Sequence, residues 1–150
     1  MREIPLIDDP RVLEIPIEEC GEPLVDLCDY PVRATMDHPR ANSPAETRLH
    51  CREGVAERLV AADAALPDGV SLLVLECHRP LELQRIFWDT DLAALKKRHP
   101  EWSDEKLSKE NARFVAPPWS VPPHSTGGAV DLILRDSEEN ELDMGSLLNQ

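Results

Sequence analysis

The chain has 150 residues, which is long enough for one domain with a buried core. Hydrophobic residues make up 41% of it and charged residues 30%, a composition typical of soluble globular proteins. The formal net charge of −13 argues against nucleic acid or an anionic membrane surface as a partner, because both repel an acidic protein.

The first ten residues, MREIPLIDDP, contain acids and prolines where a secretion signal needs a continuous apolar stretch. The apolar runs later in the chain are too short to span a membrane. We therefore expect a cytoplasmic protein. The cysteines contain no Cys-x-x-Cys pair, so we expect reduced thiols rather than a zinc ribbon or a redox motif; they are Cys20, Cys28, Cys51 and Cys77.

The first third of the chain, residues 1–45, is rich in proline and acids and predicts an irregular arm with few strands. Apolar residues at helical spacing then predict a helix over residues 53–66, which ends at the turn sequence Pro-Asp-Gly. The apolar run VSLLVLE that follows, residues 70–76, is typical of a strand covered on both faces.

Pro80 suits the first turn of a helix, and the following sequence predicts a helix to about His99. Its expected apolar stripe consists of Leu83, Ile86, Phe87, Ala94 and Leu95. Ser103 predicts the start of a shorter helix. AVDLIL, residues 129–134, predicts a second core strand, and RDSEENEL after it a hairpin-like turn. Together these elements predict one α+β domain, residues 1–150, with a small, mostly antiparallel sheet packed by helices.

The sequence PPHSTGGAVDLIL combines a histidine, two glycines and an acid at the entry of a strand. His124 and Asp131 are residue types that bind zinc, and Gly127 and Gly128 allow the sharp turn that brings them together. Catalytic zinc sites take three such protein ligands and leave a fourth position for water. The alternative is a simple turn that Asp131 caps through backbone N–H groups. Spacing alone leaves both interpretations open.

Arg79 lies between the first core strand and a helix that begins with proline. A residue before proline favours extended geometry, which directs the Arg79 side chain off the end of the sheet. Beside a metal, its guanidinium can stabilise an oxyanion. The alternative is an ion pair with Glu76 or Glu82 at the surface.

ECHRP at a strand-to-helix turn, followed about 45 residues later by HSTGGAVD, resembles the zinc D-alanyl-D-alanine dipeptidases of the vancomycin-resistance type. These enzymes belong to a wider group of zinc peptidases that act on peptidoglycan peptides. The resemblance covers about residues 54–145. It implies that His124 and Asp131 bind zinc, that Arg79 stabilises the transition state, and that the substrate is a small D-amino-acid dipeptide.

The sequence departs from this family pattern in two places. Pro122 stands where the family usually has a serine, and no histidine follows Asp131, although the family's third zinc ligand and general base lie in a later Glu-x-x-His motif. The C-terminal segment with that motif is therefore expected to be missing. His38, His50, His78 and His99 are expected to be surface or half-buried histidines, and Glu138, Glu139 and Glu141 a solvated charge run.

Three hypotheses follow from the resemblance and its departures. The first is a zinc dipeptidase for D-Ala-D-Ala. The second is a truncated or degenerate relative that binds metal or peptide weakly without catalysis. The third is a zinc carboxypeptidase or amidase that acts on larger peptidoglycan peptides. The sequence makes no prediction of the oligomeric state.

Overall fold

The computed structural model describes residues 5, 7, 9–39, 41 and 43–145, so the start of the expected arm lies partly outside it. The described residues form, in chain order, α1 (Pro10–Leu13), β1 (Leu24–Asp26), a 3-10 helix (Leu27–Asp29), β2 (His50–Arg52), α2 (Glu53–Ala64), β3 (Ser71–Glu76), α3 (Leu81–Arg98), α4 (Asp104–Asn111), a second 3-10 helix (Pro123–Thr126) and β4 (Asp131–Arg135). These elements confirm the α+β class.

The chain divides into two compact units. One unit contains residues 21–80 and 124–150 and holds all four strands named above, together with α2. The other contains residues 1–20 and 81–123, with α1, α3 and α4. The single domain over residues 1–150 stays a prediction.

The sheet of β3 and β4 forms the centre of the first unit. The strands pair antiparallel, with Leu72 opposite Leu134 and Val74 opposite Leu132. Residues 72–76 of β3 are all buried, as the continuous apolar run predicts. Leu59 of α2 packs in the same core cluster as Leu72 and Val74, and the hairpin after β4 closes where Leu142 N donates to Leu134 O at 2.9 Å.

A second antiparallel sheet, formed by β1 and β2, was not predicted from the sequence. Each strand has only three residues, too few for an alternating pattern to be recognised. The arm after β1 is fixed by Arg48, a residue with only 3% of its surface exposed. Its guanidinium donates to the carbonyl oxygens of Ala41 and Ser43, both at 2.9 Å, and to that of Met36.

The helices α3 and α4 pack against each other in the second unit. The apolar stripe expected on α3 is confirmed in part, because Leu83, Phe87 and Leu95 are half-buried. Ile86 is 58% exposed, however, and Gln84 and Trp88 are the buried residues. The reason is tertiary packing, because Trp88 packs against Ala112 and Val115 just after α4. Ser103 caps α4 by accepting a hydrogen bond from the backbone of Lys106, as predicted.

No helix in the described part of the chain is both long enough and apolar enough to cross a membrane.

The phase of α3 is testable by two alanine substitutions on the same helix. Trp88→Ala is expected to lower the free energy of unfolding by about 3–5 kcal/mol, because it opens a cavity in the core. Ile86→Ala is expected to change it by no more than about 0.5 kcal/mol. Urea unfolding followed by circular dichroism measures both. An equal loss in the two variants would contradict the observed helix orientation.

Candidate functional site

The end of the β3–β4 ladder brings two carboxylates together. The register shifts between Val74 and Glu76, so that Glu76 at the end of β3 has Asp131 at the start of β4 as its partner. Glu76 is buried, with 4% of its surface exposed, and the Asp131 side chain is 31% exposed. Like charges in this arrangement repel, and burial increases the repulsion. The position therefore requires cations or hydrogen-bond donors nearby.

His124 lies next to this pair of carboxylates in the 3-10 helix Pro123–Thr126. Its Nδ1 lies 2.7 Å from the backbone carbonyl oxygen of Cys77. A carbonyl oxygen only accepts hydrogen bonds, so Nδ1 carries the proton and donates. The Nε2 atom then faces Asp131, with 3.6 Å between Nε2 and Oδ1. When the ring is neutral, the lone pair of Nε2 lies beside a carboxylate oxygen, as in a metal ligand.

Two opposing effects act on the protonation of His124. Burial disfavours the charged ring, but the hydrogen bond with Asp131, the Cys77 carbonyl and the charge of Asp131 outweigh it, and the pKa of His124 is raised. The charge of Arg79 acts in the same direction as burial. The raised pKa means that Nε2 lies in a place that favours a positive charge.

Cys77 contributes its backbone to the site and its sulfur to the core. The thiol belongs to the core cluster that also contains Cys51. A hydrogen bond with Cys51 and burial raise the pKa of the Cys77 thiol, which keeps it neutral. A neutral thiol is a poor metal ligand. Both cysteines are free, as expected.

An ion pair with Glu76 joins Arg79 to the group formed by Glu76, Asp131 and His124. Arg79 Nε donates to Glu76 Oε1 at 2.7 Å, and the two side chains are 15% and 5% exposed. The ion pair considered from the sequence therefore exists, but it is buried rather than at the surface. A buried pair holds its arginine firmly, because breaking it leaves an uncompensated charge.

Backbone hydrogen bonds join the two sequence motifs directly. Arg79 N donates to His124 O at 3.2 Å, and Ser125 Oγ donates to Arg79 O at 2.9 Å. Residues 76–79 and 124–131 therefore form one continuous structure, although about 45 residues separate them along the chain. This brings together Arg79, His124 and Asp131, the three residues singled out from the sequence.

Gly127 makes the turn between His124 and Asp131, as its position in the motif predicts. Its φ angle is +72°, which L-residues rarely adopt, and a Cβ atom there would lie 2.4 Å from Cδ2 of Leu24. Gly128, by contrast, does not have a positive φ angle. Only the first of the two glycines is therefore required by the backbone conformation.

The distance between the two donor atoms fits a metal. Ligand atoms at 2.0–2.1 Å from a tetrahedral zinc are about 3.3 Å apart. The separation of 3.6 Å between His124 Nε2 and Asp131 Oδ1 is close to this value. Among the described residues, however, no group of three or more His, Cys, Asp or Glu side chains is arranged to hold a metal ion. The described residues thus supply two donors.

Two of the other histidines have side-chain partners of their own. His78 Nδ1 lies 2.8 Å from Thr47 Oγ1, and its pKa is lowered by burial and then by the charges of His50 and Arg52. His99 stacks on Trp102 with 3.9 Å between ring centroids.

One expectation about polar side chains needs correction. His38 is neither at the surface nor half-buried: it is 7% exposed, and its Nε2 lies 3.0 Å from Glu141 Oε1. The acids Glu138, Glu139 and Glu141 are exposed, as expected for a solvated charge run, and Glu139 also forms ion pairs with Arg33 and Arg135. The hairpin after β4 brings these distant side chains together, so local sequence did not reveal it.

Glu76 also belongs to the site, although from the sequence it was considered only as a surface ion-pair partner of Arg79. Two signals were present: an acid ends an otherwise apolar strand, and an arginine follows three residues later. An acid in such a place needs a cation or a donor. Its position opposite Asp131 was not predictable, because that depends on the register of the two strands.

The chain is similar to a curated protein of Synechocystis sp. named D-alanyl-D-alanine dipeptidase, with 30% identity over 156 aligned residues. The alignment covers 92% of this chain and 63% of the Synechocystis protein, so the chain spans less than two thirds of that relative's length. No protein-family model matches the chain. No solved structure matches it either.

Gly127→Ala tests how tightly the turn is constrained. We expect it to lower the free energy of unfolding by at least about 2 kcal/mol, from backbone strain and from the clash with Leu24. Gly21→Ala is the matched control, since Gly21 has a φ angle of +74° but open space around it. Urea unfolding measures both. In the Gly127→Ala background, Leu24→Ala should restore part of the loss, and a failure to do so would contradict the clash.

Proposed function

We propose that this chain carries the active site of a zinc-dependent dipeptidase that hydrolyses D-Ala-D-Ala. The observation that supports it most is the geometry of His124, whose Nδ1 is held by the Cys77 carbonyl while Nε2 faces Asp131 at 3.6 Å. The name of the Synechocystis relative supports the substrate. In this proposal His124 and Asp131 bind the metal, and Arg79 acts on the substrate.

The charges of the cluster support a cation at this position. Glu76 and Asp131 contribute two carboxylates, whereas Arg79 contributes one fixed positive charge. Burial lowers the pKa of His124, but its contacts with Asp131 and with the Cys77 carbonyl outweigh this effect and raise it. A metal ion bound by Nε2 and Oδ1 would replace a proton on His124 and supply the missing positive charge.

When bound, zinc polarises the scissile carbonyl and lowers the pKa of a water molecule to near neutrality. The remaining roles in this proposal belong to residues of the chain itself. The Cys77 carbonyl keeps the His124 ring in the tautomer that binds metal. Glu76 holds the Arg79 guanidinium, whose positive charge offsets the negative charge that develops on the carbonyl oxygen.

Zinc binding tests the proposed ligands. The wild-type chain is expected to bind zinc in isothermal titration calorimetry, and His124→Ala or Asp131→Asn to weaken binding at least about 10-fold, since each removes one ligand. His99→Ala is the matched control, because His99 stacks on Trp102. Unchanged zinc affinity in His124→Ala would overturn the assignment of the ligands.

Release of D-alanine from D-Ala-D-Ala in the presence of zinc tests the activity and the role of Arg79. Arg79→Ala is expected to lower kcat by about 100-fold or more, as loss of an oxyanion stabiliser does. The single variant also leaves Glu76 buried without its partner, at a cost of about 3–5 kcal/mol in stability.

The double variant Glu76→Gln/Arg79→Ala separates these two effects. It removes both charges, so we expect most of the stability to return while kcat stays low. If activity returned together with stability, Arg79 would have only a structural role. N-acetyl-D-Ala-D-Ala as a parallel substrate reports cleavage of acylated peptides, as the carboxypeptidase hypothesis requires.

A second candidate function is that of a non-catalytic relative that binds metal weakly. The observation that favours it is the absence of a group of three metal-binding side chains among the described residues. Zinc binding that depends on His124, together with no release of D-alanine from a folded sample, would support this function over the dipeptidase.

A further inference from the structure

Arg52 holds the turn that carries the proposed metal ligands. This residue ends β2 and immediately precedes α2. Its side chain donates from Nε to the carbonyl oxygen of Thr126 at 2.8 Å and from a terminal nitrogen to that of Glu22. Its backbone N–H donates to the carbonyl oxygen of Gly127 at 2.9 Å. One residue thus binds two consecutive carbonyl groups of the turn.

These carbonyl groups need donors from elsewhere in the chain. Thr126 ends a 3-10 helix, and the last carbonyl groups of a helix lack partners within it. Gly127 follows in a left-handed conformation, before β4 begins at Asp131. A guanidinium suits the position because its rigid fork points several N–H donors in different directions.

The turn also rests on β1. Leu24 of this strand lies so close to Gly127 that its Cδ2 atom would have to shift to make room for a Cβ atom there. Since β1 pairs with β2, in the register Leu24 opposite Arg52, both residues that contact the turn belong to one small sheet. The sheet of β1 and β2, which was not predicted from the sequence, therefore supports residues 126 and 127 of the turn.

We propose that Arg52 is a positioning residue for the pair of His124 and Asp131. Thr126 and Gly127 lie between these two donors in the chain, so the hydrogen bond from Arg52 Nε to the Thr126 carbonyl limits how far His124 Nε2 and Asp131 Oδ1 can move apart. The inference rests on the proposed function in so far as the pair binds zinc. Arg52 itself contacts neither metal nor substrate in this proposal.

Arg52→Lys is the most informative variant. Lysine keeps the positive charge and the backbone bond to Gly127, but its single ammonium cannot donate to the carbonyl groups of Thr126 and Glu22 from two separate nitrogens. Arg48→Lys is the matched control, because Arg48 also donates to backbone carbonyl groups, but in residues 35–43, and is more deeply buried. Arg52→Gln, uncharged but still a donor, serves as a second variant in case the first does not fold.

Two measurements are made on each variant. Zinc titration should show at least about 10-fold weaker binding in Arg52→Lys and a change of less than about threefold in Arg48→Lys, as expected for an outer-shell partner and for a side chain whose carbonyl partners lie outside the turn. In the metal-free chain, amide hydrogen exchange of residues 125–130 should become faster in Arg52→Lys and stay unchanged in Arg48→Lys. A general loss of stability would affect both variants.

The outcomes separate this inference from the proposed function. If Arg52→Lys keeps both its zinc affinity and its slow exchange, or if Arg48→Lys loses as much of each, Arg52 is not a positioning residue. If the wild-type chain binds no zinc, the proposed function fails, and the exchange of residues 125–130 alone decides whether Arg52 holds the turn.

Discussion

The hydrogen bond from His124 Nδ1 to the carbonyl oxygen of Cys77 is the interaction on which the site depends. The carbonyl is available because the β3–β4 ladder ends one residue earlier, where Glu76 lies opposite Asp131. The end of one strand therefore fixes the tautomer of a ring that lies 47 residues further along the chain.

The same strand end explains why charged groups gather there. Glu76 closes an apolar strand, and Asp131 opens another, so pairing the two strands brings two carboxylates to one partly buried place. Arg79, which follows β3, and His124, which precedes β4, offset the negative charge of these two carboxylates. Burying two acids at one strand end thus calls for nearby positive charge, which Arg79 supplies to Glu76.

Two arginines hold irregular segments of the chain in place. The sequence contains 14 prolines, each of which lacks a backbone N–H, so the loops have more carbonyl acceptors than backbone donors. Arg48 supplies donors to the arm before β2, and Arg52 supplies them to the turn before β4. Side chains with several donors thus substitute for the regular ladders that proline excludes.

Much of the molecule could be read from local sequence. The helices α2 and α4, the strands β3 and β4 and the hairpin after β4 follow from apolar spacing, capping and turn residues, which act over a few neighbouring positions. The motifs likewise singled out Arg79, His124 and Asp131. Two short strands were missed, β1 within the arm and β2 after it, because three residues each leave no pattern to detect.

Only the tertiary structure decided how these parts meet. Helix α3 turns Trp88 rather than Ile86 towards its core, because the residues after α4 pack there. Glu76 faces Asp131 because of a register shift, and Arg52 reaches Thr126 across 74 positions of the chain. Sequence by itself determined which residues had the chemistry for a site. Register, packing and long-range hydrogen bonds, which no local pattern encodes, decided which of them come together.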